Sequence, residues 1–244
     1  MRFARGVLAQ YERTRDEIDA AASGAAGKTR VGAMAVAMPV LLARAVQALK
    51  ARSARATVLI EEGDLTHLLP KLRLGELDLF VGRLEPGYAA PDLQTDALFE
   101  EPMVVVAAPG SDVAGRTALA WEDLAALPCV MPPPWASLRV KLEQQFHRHG
   151  LQPSSDLMET SSYLATLTFI RERQGVGFLA RSAARSFESQ GLCRILDVPL
   201  ALALPPVGII TMREARLPAT SAQLIECLKE AAAALVAEAA EDAA

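Results

Sequence analysis

From Glu61 to Arg83 the chain reads EEGDLTHLLPKLRLGELDLFVGR, and the spacing of its apolar positions changes along the way. Leu65, Leu68, Leu69 and Leu72 recur at helical spacing and mark one face of a short amphipathic helix. Gly63 places a tight turn before that helix, and Gly75 is a glycine stop after it. Residues 77–82 then read as strand, so the stretch predicts a right-handed βαβ crossover. Ligands of open α/β sheets gather outside the carboxyl ends of parallel strands. Gly63-Asp64 and Gly82-Arg83 stand at two such ends and offer two sides of a small-molecule cleft.

The same patterning extends in both directions. Residues 29–33 start a first strand, and 34–39 lead into a helix with Leu42, Val46 and Leu49 on one face. Pro39 suits a first helical turn, where its missing N–H costs nothing. A helix start of this kind presents free N–H groups and a positive dipole end to an anion. Residues 56–61 and 77–82 carry the aliphatic runs of buried parallel strands, and 85–91 read as loop. Past Pro102 a strand at 103–107 crosses into a second subdomain. There a short helix at 121–126 begins with the acidic pair Glu122-Asp123, and a strand follows at 129–131.

Three consecutive prolines cannot join a central ladder, so Pro132-Pro133-Pro134-Trp135-Ala136 is a stiff loop over a helix start, with Ser137 as N-cap. A strand at 157–160 runs into Ser161-Ser162, which open a helix at 163–174, and Gly175 is read as its C-cap. Residues 176–179 are strand, 181–190 helix and 193–198 strand. Leu204-Pro205-Pro206 then returns the chain to the first subdomain through a strand at 207–212 and a final helix from 219 to about 239. Two crossings divide the chain into a lobe of residues 28–101 with 207–244 and a lobe of residues 102–206. Before both, Phe3, Val7, Tyr11, Thr14 and Ile18 form a stripe at steps of four, four, three and four. That stripe either packs on its own domain or pairs with a partner as a coiled coil. The small-residue joint at 23–27 favours the second.

Composition narrows the function. With 51% hydrophobic and 22% charged residues in 244, the chain can bury a sizeable core. A net charge of −4 gives no basic field for holding nucleic acid. Cys129, Cys193 and Cys227 lie far apart, without the spacing of a zinc site or disulfide framework, which fits a reducing cytoplasm. There is no secretory segment and no run long enough for a membrane span. His147 and His149 face different directions on one helix, so a shared metal is not expected. Gly175-Val176-Gly177-Phe178-Leu179-Ala180 spells G-x-G-x-x-A, but it follows a helix and forms a strand, the wrong context for a dinucleotide fingerprint. No triad order, P-loop or paired carboxylates stand out, so no catalysis and no cofactor are expected.

Arg83 is the strongest candidate contact, since a guanidinium at a strand end grips a carboxylate through two parallel hydrogen bonds. The alternative is a surface arginine paired with Glu85 or another acid. On the first reading, Arg83→Ala removes ligand stabilisation and leaves the free protein within about 1 kcal/mol of wild type. Asp64 orients Arg83, or accepts sugar or amine hydrogens, or caps the helix that contains Thr66. Trp135 is a rim aromatic or a plug against its own lobe. Ser161 and Ser162 are caps, contacts or both, and Phe178 is a cleft wall or a core residue.

Several of these stretches resemble the effector-binding domain of LysR-type transcriptional regulators. They are Val31-Gly32-Ala33, Gly75-Glu76-Leu77-Asp78-Leu79, Phe99-Glu100-Glu101-Pro102 entering Val104-Val105-Val106, residues 138–146 closed by His149-Gly150, and Gly175-Val176-Gly177-Phe178-Leu179. Their joint order spans roughly residues 1 to 240. The resemblance implies an α/β fold of two Rossmann-like lobes of the periplasmic-binding-protein type II kind, joined by two crossing strands. It makes residues 1–27 a dimerising linker helix and joint, and the chain a truncated form lacking the winged helix-turn-helix that reads DNA. It implies a cytoplasmic homodimer or homotetramer that senses a carboxylate, aromatic acid or sugar derivative. The alternative is a stand-alone solute-binding protein of the same fold. Effector contacts are implied near Ala35, Val36, Asp64, Thr66 and Arg83 in the first lobe. In the second they are implied near Pro133, Trp135, Ser137, Ser161, Ser162 and Phe178. The family often places a serine or threonine where Ala35 and Val36 stand, so a hydroxyl contact there is not expected. Phe80-Val81-Gly82-Arg83-Leu84 resembles the subgroup that regulates sugar-binding-protein and aromatic-catabolism genes.

Overall fold

Aliphatic strands followed by amphipathic helices fold here into two α/β units, seen in a computed structural model that describes residues 27–117, 119–200 and 202–241 together with Tyr11 and Arg15. The helix expected over residues 3–22 and the joint at 23–27 therefore lie outside the described residues, apart from Tyr11, Arg15 and Gly27. One unit runs to Glu100 and resumes at Pro205; the other is Glu101–Leu204.

In the first unit, β1 (Lys28–Ala33) lies between β2 (Thr57–Glu62) and β3 (Leu79–Arg83), both parallel to it. The returning strand β10 (Val207–Met212) runs antiparallel between β3 and β4 (Leu93–Phe99), giving the order β2-β1-β3-β10-β4. Alternation sends successive side chains of one strand to opposite faces. Leu79, Val81 and Ile209 join α1 (Ala43–Arg52) and the long α7 (Ala219–Glu241) in one apolar cluster, through Leu49, Leu224 and Leu228. Phe80 and Ile210 join Leu65, Leu68, Leu69 and Leu72 of α2 (Leu65–Leu74) in another. The four leucines named from the sequence are all buried, and Gly75 closes α2 in the left-handed conformation at φ 75°.

The second unit repeats the pattern. Strand β6 (Cys129–Met131) lies parallel between β7 (Leu157–Glu159) and β8 (Val176–Ala180), and β5 (Met103–Ala107) runs antiparallel between β8 and β9 (Arg194–Leu196). Its helices are α3 (Trp121–Ala126), α4 (Ser137–Arg148), α5 (Tyr163–Arg173) and α6 (Arg181–Ser189). Val106, Val130, Leu167, Ile170 and Leu179 form part of its core.

Three expectations change. Strand β2 is an edge strand with most of its residues exposed, Leu59 by 50% and Ile60 by 39%, because only β1 pairs with it. Strand β4 was not anticipated; only Leu93 in it is buried, so it carries little hydrophobic signal. Gly175 is not the C-cap of α5. Gln174 takes the left-handed conformation there at φ 54°, and a Cβ at Gly175 would stand 2.3 Å from the Pro128 carbonyl oxygen. Glycine is required at 175 by close backbone approach rather than by its dihedral freedom.

Candidate functional site

In the first unit the candidates stand where strands end and helices begin. Strand β1 stops at Ala33, and Ala35 and Val36 occupy the turn that leads into a π-helical turn, Met38–Leu42, which has Pro39 at its start. Both are half-buried.

Asp64 is the N-cap of α2. Its Oδ1 accepts the His67 N–H at 3.1 Å and the Thr66 hydroxyl, and His67 Nδ1 lies 3.1 Å away. Burial works to raise the Asp64 pKa, but the hydrogen bonds from Thr66 and His67 outweigh it and hold the carboxyl below its ordinary value. Capping is thus the role this geometry displays, and Thr66 serves the cap.

Arg83 corrects the sequence picture most. It is the last residue of β3, only 4% exposed, and its Nη1 donates to the Pro205 carbonyl at 2.8 Å. The main chain adds Leu84 N–H to the Pro206 carbonyl at 2.9 Å and the pairing of Arg83 with Val207. A guanidinium buried this deeply is not a surface arginine, and truncating it removes packing as well as charge.

In the second unit, Pro133 is buried and Trp135 is 71% exposed, which overturns the plug reading. Ser137 is the first helical residue of α4, and Ala136 holds the N-cap position without a side-chain bond, so Ser137 is not the cap. Ser162 is a cap: its Oγ accepts the Ala165 N–H at 3.3 Å at the start of α5. Its own N–H donates to Thr160 Oγ1 at 3.1 Å, while Ser161 is exposed. Phe178 is buried in β8, opposite Val105 of β5.

Sequence reasoning missed Arg139. This residue of the first turn of α4 is 7% exposed, and its Nη1 donates both to the Pro132 carbonyl at 3.0 Å and to Glu159 Oε1 at 2.7 Å. Its Nε donates to Glu143 Oε1 at 2.7 Å. Burial would lower the guanidinium pKa, and the hydrogen bonds to Glu159 and Glu143 overcome that and raise it. The available signal was an arginine just after a triple proline, followed four residues on by a glutamate.

The cysteines and His149 are tied into structure. All three cysteines are free and buried; burial pushes Cys129 up to about 12 and Cys193 up to about 11, so neither is a thiolate at neutral pH. His149 stacks on Trp121 with ring centroids 5.4 Å apart. Among the described residues no group of three or more His, Cys, Asp or Glu could hold a metal ion, and no helix is long and apolar enough to cross a membrane.

The chain is similar to known proteins over most of its length. The family model described as LysR substrate binding domain matches residues 22–233. The HTH-type transcriptional regulator PcaQ of Agrobacterium fabrum is 23% identical over 235 residues, covering 96% of this chain and 76% of its own. The HTH-type transcriptional regulator GbpR of Azospirillum brasilense is 23% identical over 218 residues, 88% of this chain and 63% of its own. Among solved structures, CbnR, a LysR family transcriptional regulator, matches with a TM-score of 0.72 at 17% identity, over 94% of this chain and 78% of its own. The reduced form of the OxyR regulatory domain from Pseudomonas aeruginosa matches with a TM-score of 0.66 at 21% identity, over 83% of this chain and 97% of its own. Identities this low establish shared fold, which is the two-unit α/β arrangement of the periplasmic-binding-protein type II kind.

Proposed function

Because this chain belongs to the LysR substrate-binding domain family, we propose that it is the effector-sensing and oligomerising part of a LysR-type transcriptional regulator, binding a small anionic metabolite and passing the binding event to a DNA-reading domain. Its curated relatives are transcriptional regulators, which supports a sensor rather than an enzyme. On this reading residues 1–27 form the dimerising linker, and ligand is taken up between a lobe of residues 28–101 with 207–244 and a lobe of residues 102–206. Regulation then requires that the effector bind one arrangement of the subunits better than another.

The observation that carries the anionic preference is Arg83. A guanidinium at the end of a parallel strand, already fixed by the Pro205 carbonyl, meets a carboxylate without first losing side-chain freedom. Ala35, Val36, Asp64 and Thr66 are the companion contacts in its unit; Pro133, Trp135, Ser137, Ser161, Ser162 and Phe178 are those of the other.

The test is a thermal-shift screen against small carboxylates, aromatic acids, sugars and sugar acids. A ligand at 100 times its Kd adds about 2.7 kcal/mol of stability. A carboxylate hit whose shift disappears in Arg83→Lys supports both the sensor and the contact, because an ammonium lacks the planar fork. Hits confined to neutral sugars would overturn the anionic reading. Deleting residues 3–22 should lower the mass seen by light scattering, and an unchanged mass would remove the linker from the interface.

A further inference from the structure

We propose that Arg139 is a positioning residue that locks the proline loop 132–136 to the serine segment 160–162, setting the contact side chains of this unit before ligand arrives. The inference rests on the reading that these two segments meet the effector. It begins with what three prolines remove. Pro132, Pro133 and Pro134 have no N–H, so the loop that carries Trp135 offers carbonyls and almost no donors of its own. The Pro133 carbonyl is taken locally by Ala136 N–H at 3.0 Å. The Pro132 carbonyl is taken from outside the loop, by Arg139 Nη1 at 3.0 Å.

The same nitrogen carries a second proton, and Glu159 Oε1 accepts it at 2.7 Å. Glu159 is the last residue of β7, and the serine segment follows it directly. Thr160 N–H then bonds the Met131 carbonyl at 3.0 Å, Thr160 Oγ1 takes the Ser162 N–H at 3.1 Å, and Ser162 Oγ caps α5. Hydrogen bonds therefore run from Pro132 through Arg139 to Glu159, and the chain itself carries the tie on to Thr160 and the residues around Ser162. Glu143, one turn along α4, holds the guanidinium plane by accepting Nε at 2.7 Å.

Exposure decides which member acts as the anchor. Arg139 has a side-chain exposure of 9%, whereas Glu143 and Glu159 have 41% and 39%. The glutamates can trade this partner for water, and the guanidinium cannot. A pair between fully solvated side chains would contribute little; here the arginine is held by burial, and its fork fixes the geometry of three acceptors at once.

Hydrogen exchange read by mass spectrometry on the whole ligand-free chain tests the lock, with wild type, Glu159→Gln and Arg139→Lys compared. The decisive arm changes one segment and reads the other. Glu159→Gln, on the β7 side, should speed exchange at the Trp135, Ala136 and Ser137 amides by about tenfold, the scale of losing a hydrogen bond between charged groups. The α3 and α7 amides should keep their wild-type rates. Arg139→Lys should speed exchange in both segments together. Faster exchange confined to residues 157–162 in Glu159→Gln would overturn the proposal, as would unchanged rates in Arg139→Lys. Should Arg139→Lys fail to fold, Glu159→Gln decides alone, since its side chain is well exposed. No ligand is present in the experiment, so a fruitless effector screen leaves the lock standing, and loss of the lock leaves the sensor reading standing.

Discussion

Arg83 and Arg139 are both buried, one in each unit, and each gives a guanidinium N–H to the carbonyl of the first proline in a run: Pro205 of Pro205-Pro206 and Pro132 of Pro132-Pro133-Pro134. Proline runs lack the donors that tie other segments into a fold, and a long cationic side chain supplies one from elsewhere. The two differ in what else holds the segment. Around Pro205 the main chain contributes as well, through Leu84 N–H to Pro206 and the β3–β10 ladder. Around Pro132 the β6–β7 ladder and the Thr160 N–H to the Met131 carbonyl supply main-chain ties as well, but these end at Met131, and Pro132 itself is joined to β7 through the Arg139 side chain. The same device is therefore backed by main-chain bonds within and just after the proline run in one unit, at Pro206 and Val207, and by main-chain bonds that stop just before the run in the other.

The sharpest way to break that comparison is to remove each guanidinium while keeping its volume. Arg139→Met should cost about 3 kcal/mol in urea unfolding. This is the lower end for breaking a buried ion pair, because the orphaned glutamates return to water. Arg83→Met should cost about 2 kcal/mol, for a lost charge-assisted bond to a carbonyl and imperfect repacking. This replaces the expectation, drawn from the sequence for an anion-gripping Arg83, that Arg83→Ala would leave the free protein within about 1 kcal/mol. Exchange at the Leu84 amide should stay slow in Arg83→Met, since its bond to Pro206 is main-chain. If it instead speeds up as much as the 135–137 amides do in Arg139→Met, the two arginines are equivalent and the contrast fails.

Why one arginine was half-seen and the other missed follows from the range of their partners. Helix α2 was legible throughout: its leucine face, its Asp64 start and its Gly75 stop are all encoded within a dozen residues. The same holds for Trp121–Ala126, Cys129–Met131 and Val207–Met212, whose aliphatic or capping signals are local. Arg83 could be placed at a strand end, but the carbonyl it donates to belongs to Pro205, 122 positions away in sequence. Arg139 depends on Glu159, and Gly175 on the Pro128 carbonyl, neither of which periodicity can report. Edge strand β4 failed for the opposite reason, since a strand that buries few side chains leaves little alternation to read; β2 was placed at 56–61, but its exposure was not read because its pairing on one side alone is not a local signal. The candidate contacts were legible as positions at strand ends and helix starts; their hydrogen-bond partners were not.

A smaller effect separates side chains that tie distant segments from those that act locally. Asp64 bonds only within its own helix start, so Asp64→Ala should cost about 1 kcal/mol, the ordinary value of a cap. Its pKa is depressed in the folded chain, so the contribution is present above the carboxylate range of the unfolded state. It should be lost as pH falls through about 4 toward the depressed folded value. Urea midpoints of wild type and Asp64→Ala should therefore converge as pH drops, and a constant gap would remove the charge from the cap.

Trp135 gives the smallest expected change and the cleanest contrast with Arg139, since both belong to the proline loop and its following helix turn. A buried tryptophan truncated to alanine costs about 3–5 kcal/mol. At 71% exposure Trp135 buries too little for that, and Trp135→Ala should move the unfolding free energy by less than about 0.5 kcal/mol. Exchange at the Ala136 and Ser137 amides should also remain at its wild-type rate, because the loop is held by the carbonyl of Pro132 and not by the indole. A loss of 2 kcal/mol or more would restore the tryptophan as a structural plug and transfer the ordering of the loop from the guanidinium to the ring. A neutral result leaves a large, exposed aromatic on a stiff loop with no part in stability, and its remaining use is to touch something that is not this chain.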